Sequence, residues 1–191
     1  DENELWIGTM NNGVYVYNSK DGVLKNFRTT NGLSGNHIKT IVADYWDNIW
    51  IGTSGGGVSV FQNSPFIKYN SASGLNGDYV FSVLNDSREN LWLGTEGMGV
   101  MRINDTSKVL FDEEAGFYSE KVKSIFEDSK GYVWFGTEGK GVGVYNPYDG
   151  KDTIYSFYNT NGLKGNWVKC FTEDPSTGQV YLGTSDGGIY Y

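Results

Sequence analysis

Chemistry in this chain has to be done by carboxylates, lysines, amides and aromatic rings, because it has one histidine, His37, and one cysteine, Cys170. A lone histidine excludes histidine-rich zinc sites and HExxH motifs, and it would have to serve alone in any Ser-His-Asp arrangement. A lone cysteine excludes an intrachain disulfide and a thiolate cluster, and Cys170 reads as a small buried apolar residue. Neither a GxSxG elbow nor a GxxxxGK[ST] loop occurs. Gly94-Thr-Glu-Gly-Met-Gly99 has the glycines of a phosphate cradle, but no helix pattern follows to supply a positive dipole, so it reads as a turn. Asp44-Tyr-Trp-Asp47-Asn48 lacks the spaced ligands and terminal Glu of a calcium loop. No metal, cofactor or catalytic residue is assigned.

The carboxylates Asp44, Asp86, Asp128 and Asp174 recur in phase and read as turn formers in preference to a glycosidase pair. More informative are positions that vary inside a repeating frame. His37, Tyr79, Lys121 and Trp167 each precede a shared Ile or Val, at Ile38, Val80, Val122 and Val168. A second set follows a repeated Gly-Thr pair: Met10-Asn11-Asn12, Ser54-Gly55-Gly56, Glu96-Gly97-Met98, Glu138-Gly139-Lys140 and Ser185-Asp186. Aromatic platforms beside carboxylates, amides and lysines suit sugar rings and hydroxyls, or an acidic saccharide. The candidate ligand-binding residues are therefore His37, Tyr79, Lys121, Trp167, Glu96, Glu138 and Lys140; the alternative is that these are ordinary solvated loops.

The frame that must hold them is repetitive. Leu5-Trp-Ile-Gly-Thr9, Ile49-Trp-Ile-Gly-Thr53, Leu91-Trp-Leu-Gly-Thr95, Val133-Trp-Phe-Gly-Thr137 and Val180-Tyr-Leu-Gly-Thr184 put glycines 44, 42, 42 and 47 residues apart. A second marker keeps the same beat: Asn31-Gly-Leu33, Ser73-Gly-Leu75, Ala115-Gly-Phe117 and Asn161-Gly-Leu163. Within one period lie four short β-patterned runs, as in His37 to Ala43, Asn48 to Thr53, Gly57 to Phe61 and Phe66 to Tyr69. Helical periodicity is absent, while 27 Gly, 14 Tyr, 10 Phe and 6 Trp in 191 residues favour short strands and tight turns. A period of this length with four strands predicts an all-β fold, a β-propeller of four-stranded antiparallel blades. Its Trp supplies a flat surface between sheets, its neighbouring Gly permits close approach, and the Leu of the Gly-Leu pair plugs the space between sheets. The loops entering first strands and those joining second to third strands then emerge on one face.

Fifteen Lys and Arg against 23 Asp and Glu give a net charge of −8, which argues against nucleic acid and anionic membranes as general partners. No apolar run exceeds four residues, so no membrane insertion is expected of this segment.

Together, Leu-Trp-Ile-Gly-Thr, Gly-Val-x-Val-Tyr, an aromatic strand and Asn-Gly-Leu-x-Gly-Asn closely resemble the two-component regulator propeller repeat, over essentially the entire chain. The resemblance implies the periplasmic sensor region of a bacterial hybrid two-component system, in which the propeller precedes a β-sandwich, a membrane helix and a histidine kinase. The expected function is thus a non-enzymatic, exported, ligand-sensing propeller for a carbohydrate. The alternatives are a structural or protein-interaction propeller of an exported assembly, and a propeller lyase. The expected units are a partial blade at 1–33, blades at 34–75, 76–117 and 118–163, and a partial blade at 164–191. The front supplies strands two to four of its blade and the back strands one to three, sets that overlap instead of complementing each other. This predicts a part of a larger propeller, about seven blades by the resemblance, whose terminal sheets meet the remainder of the propeller or other chains.

Overall fold

The computed structural model describes residues 3–62, 66–75, 77–97, 99–104, 106–117, 119, 121–157 and 162–191; Met98, Glu120 and Asn161 lie outside them. Eighteen strands form five antiparallel sheets among these residues. The first sheet holds β1 (Glu4–Gly8), β2 (Val14–Asn18) and β3 (Leu24–Phe27). The second holds β4 (Ile38–Ala43), β5 (Ile49–Thr53), β6 (Val58–Phe61) and β7 (Phe66–Tyr69), each within one residue of the run read from the sequence. The third holds β8 (Val80–Asn85), β9 (Leu91–Thr95), β10 (Val100–Ile103) and β11 (Lys108–Phe111). The fourth holds β12 (Val122–Glu127), β13 (Val133–Thr137), β14 (Val142–Tyr145) and β15 (Ile154–Phe157). The fifth holds β16 (Val168–Asp174), β17 (Gln179–Thr184) and β18 (Gly188–Tyr190).

Every sheet is a meander, and the strands β4, β8, β12 and β16 lie side by side in chain order, forming the inner wall of an arc of blades. The recurring Asp builds the hairpin between first and second strands. In the third sheet one Asp86 oxygen accepts the backbone N–H groups of Arg88 and Asn90, and the other accepts the Trp92 indole N–H at 2.7 Å. Trp50 on Asp44 and Trp134 on Asp128 repeat the bond at 2.8 and 2.9 Å. The sequence reading foresaw the backbone acceptor and missed the indole. In the fifth sheet the hairpin is longer and Tyr181 replaces Trp; Asp174 accepts instead from the Ser176 N–H and hydroxyl.

An indole so fixed presents its face to the next sheet. Trp92, Val100 and Phe111 of the third sheet pack on Val133, Phe135 and Ile154 of the fourth, with Phe117 of the connection buried between them. Leu33, Leu75 and Leu163 fill the corresponding spaces at the other three junctions. Each fully buried Val, Leu or Phe contributes roughly 1.5–3 kcal/mol. The glycine beside each Trp is demanded by crowding: a Cβ on Gly52 would stand 2.6 Å from Thr40 Cγ2 and 3.1 Å from Val80 Cγ1 of the next sheet.

The threonine after that glycine closes the next turn. Thr53 and Thr137 are buried, and their hydroxyls donate at 2.8 Å to the carbonyls of Gly57 and Gly141. Those glycines have φ of 77° and 75°, a conformation costly for residues with a Cβ. Around the rim, Glu127 accepts bonds from Ser87 of the preceding sheet, and Glu173 does the same with Ser129.

The two three-stranded sheets share no hydrogen bonds with each other. Their outward faces carry side chains that the interior sheets bury. Ile7 is 42% exposed although its equivalents Ile51 and Leu93 are fully buried, and Ile189 is 75% exposed against 0% for Val58 and Val100. Cys170 is exposed, which corrects the expectation of a buried thiol. It stands at the repeat position of Thr40, Ser82 and Ser124, and no sheet packs over it.

Truncating Trp92 to Ala is expected to lower the stability of the chain by about 3–5 kcal/mol through cavity formation. Asp86→Ala should lower it by about 1–3 kcal/mol by leaving the indole and turn N–H groups unsatisfied. Urea unfolding followed by far-ultraviolet circular dichroism measures both, and the register above requires Trp92→Ala to exceed Trp6→Ala, whose indole is only partly covered.

Candidate functional site

The backbone at the mouth of the arc is the same in each repeat whatever the side chain. The carbonyls of His37, Tyr79, Lys121 and Trp167 accept the N–H groups of Ser54, Glu96, Glu138 and Ser185, at 2.9 to 3.0 Å. The four therefore hold equivalent places on successive sheets. Three of them also reach the blade before: Tyr79 bridges to Ser54, Lys121 to Glu96 and Trp167 to Glu138.

The glycine turns of the preceding sheet form the floor for two of these side chains. The Tyr79 ring lies over Gly55, about where a Cβ would make van der Waals contact, and the Trp167 indole nitrogen stands in the same relation to Gly139. Tyr79 and Trp167 keep 47% and 42% of their surface exposed, so each offers a free ring surface. Asp186 fixes the Trp167 backbone by accepting the N–H groups of Asn166 and Trp167 at 3.0 and 3.1 Å. Burial pushes the Asp186 carboxyl up, but those two bonds, its own backbone N–H and the charge of Lys169 together make the net shift downward.

Lys121, Glu138, Lys140 and Trp167 line one depression of about 720 Å³ between the third and fourth sheets, which Glu113 and Glu114 also line. Glu96 joins it through a 2.8 Å ion pair with Lys121. His37 and Tyr79 stay outside this depression, farther along the same mouth. A second groove of about 410 Å³, lined by Trp134, Val144, Tyr155 and Phe157, lies on the outer fourth-sheet surface and contains none of the predicted residues.

Glu138 is the electrostatic hub of the depression. Its hydrogen bond and 3.0 Å ion pair with Lys123 hold its carboxyl below the usual range against a smaller burial effect, and Lys121 and Lys169 add to the lowering. It stays ionised at neutral pH. Among the described residues no group of three or more His, Cys, Asp or Glu is arranged to hold a metal ion; the side chains of the depression offer stacking, hydrogen bonding and ion pairing.

Sequence reasoning missed the residues just past the shared Ile or Val. The pairing of first and second strands slips between Ile38 and Thr40, Val80 and Ser82, Val122 and Ser124, and Val168 and Cys170. Each slip is a β-bulge whose extra residue is Lys39, Phe81, Lys123 or Lys169. A bulge re-aims the side chain it releases, and these belong to the inner wall. The clue in the sequence was the repeated Lys after a shared β-branched residue.

Three segments, residues 32–55, 74–97 and 119–139, match the family model of the two component regulator propeller. These are two-component regulator propeller repeats. Over 99% of its length the propeller segment superposes on the extracellular domain of the hybrid two component system BT3049 from B. thetaiotaomicron, with a TM-score of 0.84 and 25% identity. The corresponding domain of BT4673 from the same organism gives a TM-score of 0.75, 25% identity and 98% coverage. The chain spans about a quarter of those two structures, 26% and 25%. Virginiamycin B lyase from Staphylococcus aureus shares the fold, with a TM-score of 0.68 and 16% identity over 98% of this chain and 65% of the enzyme. No curated protein matches the propeller in a sequence search.

In a carboxyl-detected NMR titration Glu138 should titrate below the exposed glutamates, and Lys123→Gln should move its midpoint upward. A Glu138 midpoint unchanged by that substitution would show that the ion pair does not set its charge. Because its folded value is depressed, the stability Glu138 adds is present at neutral pH and lost as pH falls through that value.

Proposed function

We propose that this chain is part of the ligand-sensing propeller of an exported sensor of the hybrid two-component kind, that it works by binding without catalysis, and that its ligand is an oligosaccharide held at the mouth of the arc. The observation that carries the reading is the set of equivalent mouth positions, where an invariant backbone presents different side chains on successive blades. That is how a rigid scaffold offers a chemically varied surface to one ligand. Similarity along the full chain to extracellular domains of hybrid two component systems supports the sensor role. No helix among the described residues is long and apolar enough to cross a membrane, which is compatible with an exported sensing segment. The likeness to virginiamycin B lyase is one of fold alone and brings no reaction with it.

In this reading Tyr79 and Trp167 stack on sugar rings, Lys121 and Lys140 bond hydroxyls or acidic substituents, and Glu96 and Glu138 orient the lysines and accept from hydroxyl groups. His37 extends the contact along the second sheet. The outward faces of the terminal sheets meet further blades of a larger propeller.

A glycan array probed with the chain, followed by titration calorimetry on the best binder, tests the proposal. Tyr79→Ala and Trp167→Ala should each weaken binding by roughly 1–3 kcal/mol, in keeping with exposed aromatic anchors, and leave thermal unfolding unchanged. Unchanged affinity in both variants would overturn the site.

A further inference from the structure

The four bulge residues are the strongest feature that the site described above leaves unused. Flanking residues are committed to the sheets: Val80, Val122 and Val168 are fully buried, and Ser82 is buried opposite Gly94. The residue released between them is Lys in three blades and Phe in the fourth. The contacts run continuously from sheet to sheet. The Lys39 ammonium lies 6.0 Å from the centroid of the Phe81 ring, and the Lys123 ammonium 3.2 Å from the same centroid. Lys123 then pairs with Glu138, and Lys169 lies 5.2 Å from the Trp167 ring. The inner wall is thus a cationic row that begins at Lys39 and ends beside Trp167 in the depression.

Only part of its charge is taken up in ion pairs. Glu138 answers Lys123 and Glu96 answers Lys121, while Lys39 and Lys169 have no ion pair among the described residues. Both are exposed. In a chain of net charge −8 such a row is not a consequence of composition. Phe81 lets two ammonium groups approach one patch of wall, because a ring face attracts cations on either side. A neutral sugar would leave Lys39 without an ion pair and Lys169 with only the longer-range fields of Glu138 and Asp186, whereas sulfate or carboxylate groups along a saccharide would pair with both.

We propose that the bulge residues Lys39, Phe81, Lys123 and Lys169 form an anion-binding arc that restricts the ligand to a saccharide bearing sulfate or uronate groups. The inference rests on the reading of this mouth as a saccharide site. Polynucleotides fit less well, because a phosphate backbone is bound by many cations at once, whereas of the row's lysines only Lys39 and Lys169 lie outside ion pairs among the described residues, on a chain of net charge −8, and the rings of Tyr79 and Trp167 suit sugar faces.

Three octasaccharides serve as probes in titration calorimetry: neutral dextran, sulfated dextran with the same backbone, and oligogalacturonate. A single-stranded octanucleotide is the fourth. Sulfated dextran or oligogalacturonate should bind at least about tenfold tighter than neutral dextran at low salt, and the advantage should shrink as salt rises. Which charged probe binds better separates sulfate from carboxylate. The double variant Lys39→Gln/Lys169→Gln should lose about tenfold on the charged probe, whereas Lys20→Gln/Lys25→Gln, of equal net charge, should not. Wild-type affinity in the first variant, equal losses in both, no binding of either charged saccharide, or tighter binding of the octanucleotide would overturn the arc. Neutral dextran bound as tightly as the charged forms and lost in Trp167→Ala would overturn the arc while sparing the saccharide site. A charged probe lost with the lysines but indifferent to Tyr79→Ala and Trp167→Ala would leave an anion site and overturn the stacking platform.

Discussion

The carboxylate at the end of each first strand is the group on which the remaining architecture depends. Asp86 is 5% exposed, and burying an ionised carboxyl is costly unless its oxygens are bonded. Here they accept two backbone N–H groups of the hairpin, the Asn90 amide and the Trp92 indole. A single group thereby sets the turn, the register of β8 against β9 and the orientation of the largest side chain in the sheet. The next sheet can pack only on a Trp face so oriented, which makes the turn and the inter-blade core one cooperative unit.

The second constraint is distance. Glycine beside each Trp makes room both for the small side chain paired with it in its own sheet, Thr40, Ser82 or Ser124, and for the valine of the following first strand, Val80, Val122 or Val168. The bulge of each first strand lies beside that contact, between the valine or isoleucine and the small residue. The packing and the functional surface are therefore adjacent in the chain: the flanking residues are held between sheets, and the bulge frees a side chain whose identity packing does not dictate.

The mouth follows the same logic. Backbone bonds from Ser54, Glu96, Glu138 and Ser185 hold the chain in place, so His, Tyr, Lys and Trp can exchange at one position without disturbing the sheets. Charge is arranged locally and not on average. At physiological salt the screening length is about 8 Å, so the distant acidic residues behind a net charge of −8 do not cancel lysines gathered on one wall.

The sequence by itself determined the period, the four strands of a blade, the turn role of the aspartates and the burial of Leu33, Leu75, Phe117 and Leu163, because each of these is a local pattern repeated in phase. It also located His37, Tyr79, Lys121 and Trp167 as equivalent positions. Only the tertiary structure decided that Lys121, Glu138, Lys140 and Trp167 share one depression while His37 and Tyr79 stand apart from it, since that depends on how far each blade rotates from the last. The indole bond to aspartate was hidden because a six-residue spacing across a hairpin becomes a contact only once the strands pair. The exposure of Cys170 was hidden because burial depends on whether a further sheet covers the strand. The cationic wall was hidden for a similar reason: alternation assigns every strand residue to one of two faces, and a bulge creates a third direction that no two-residue period encodes.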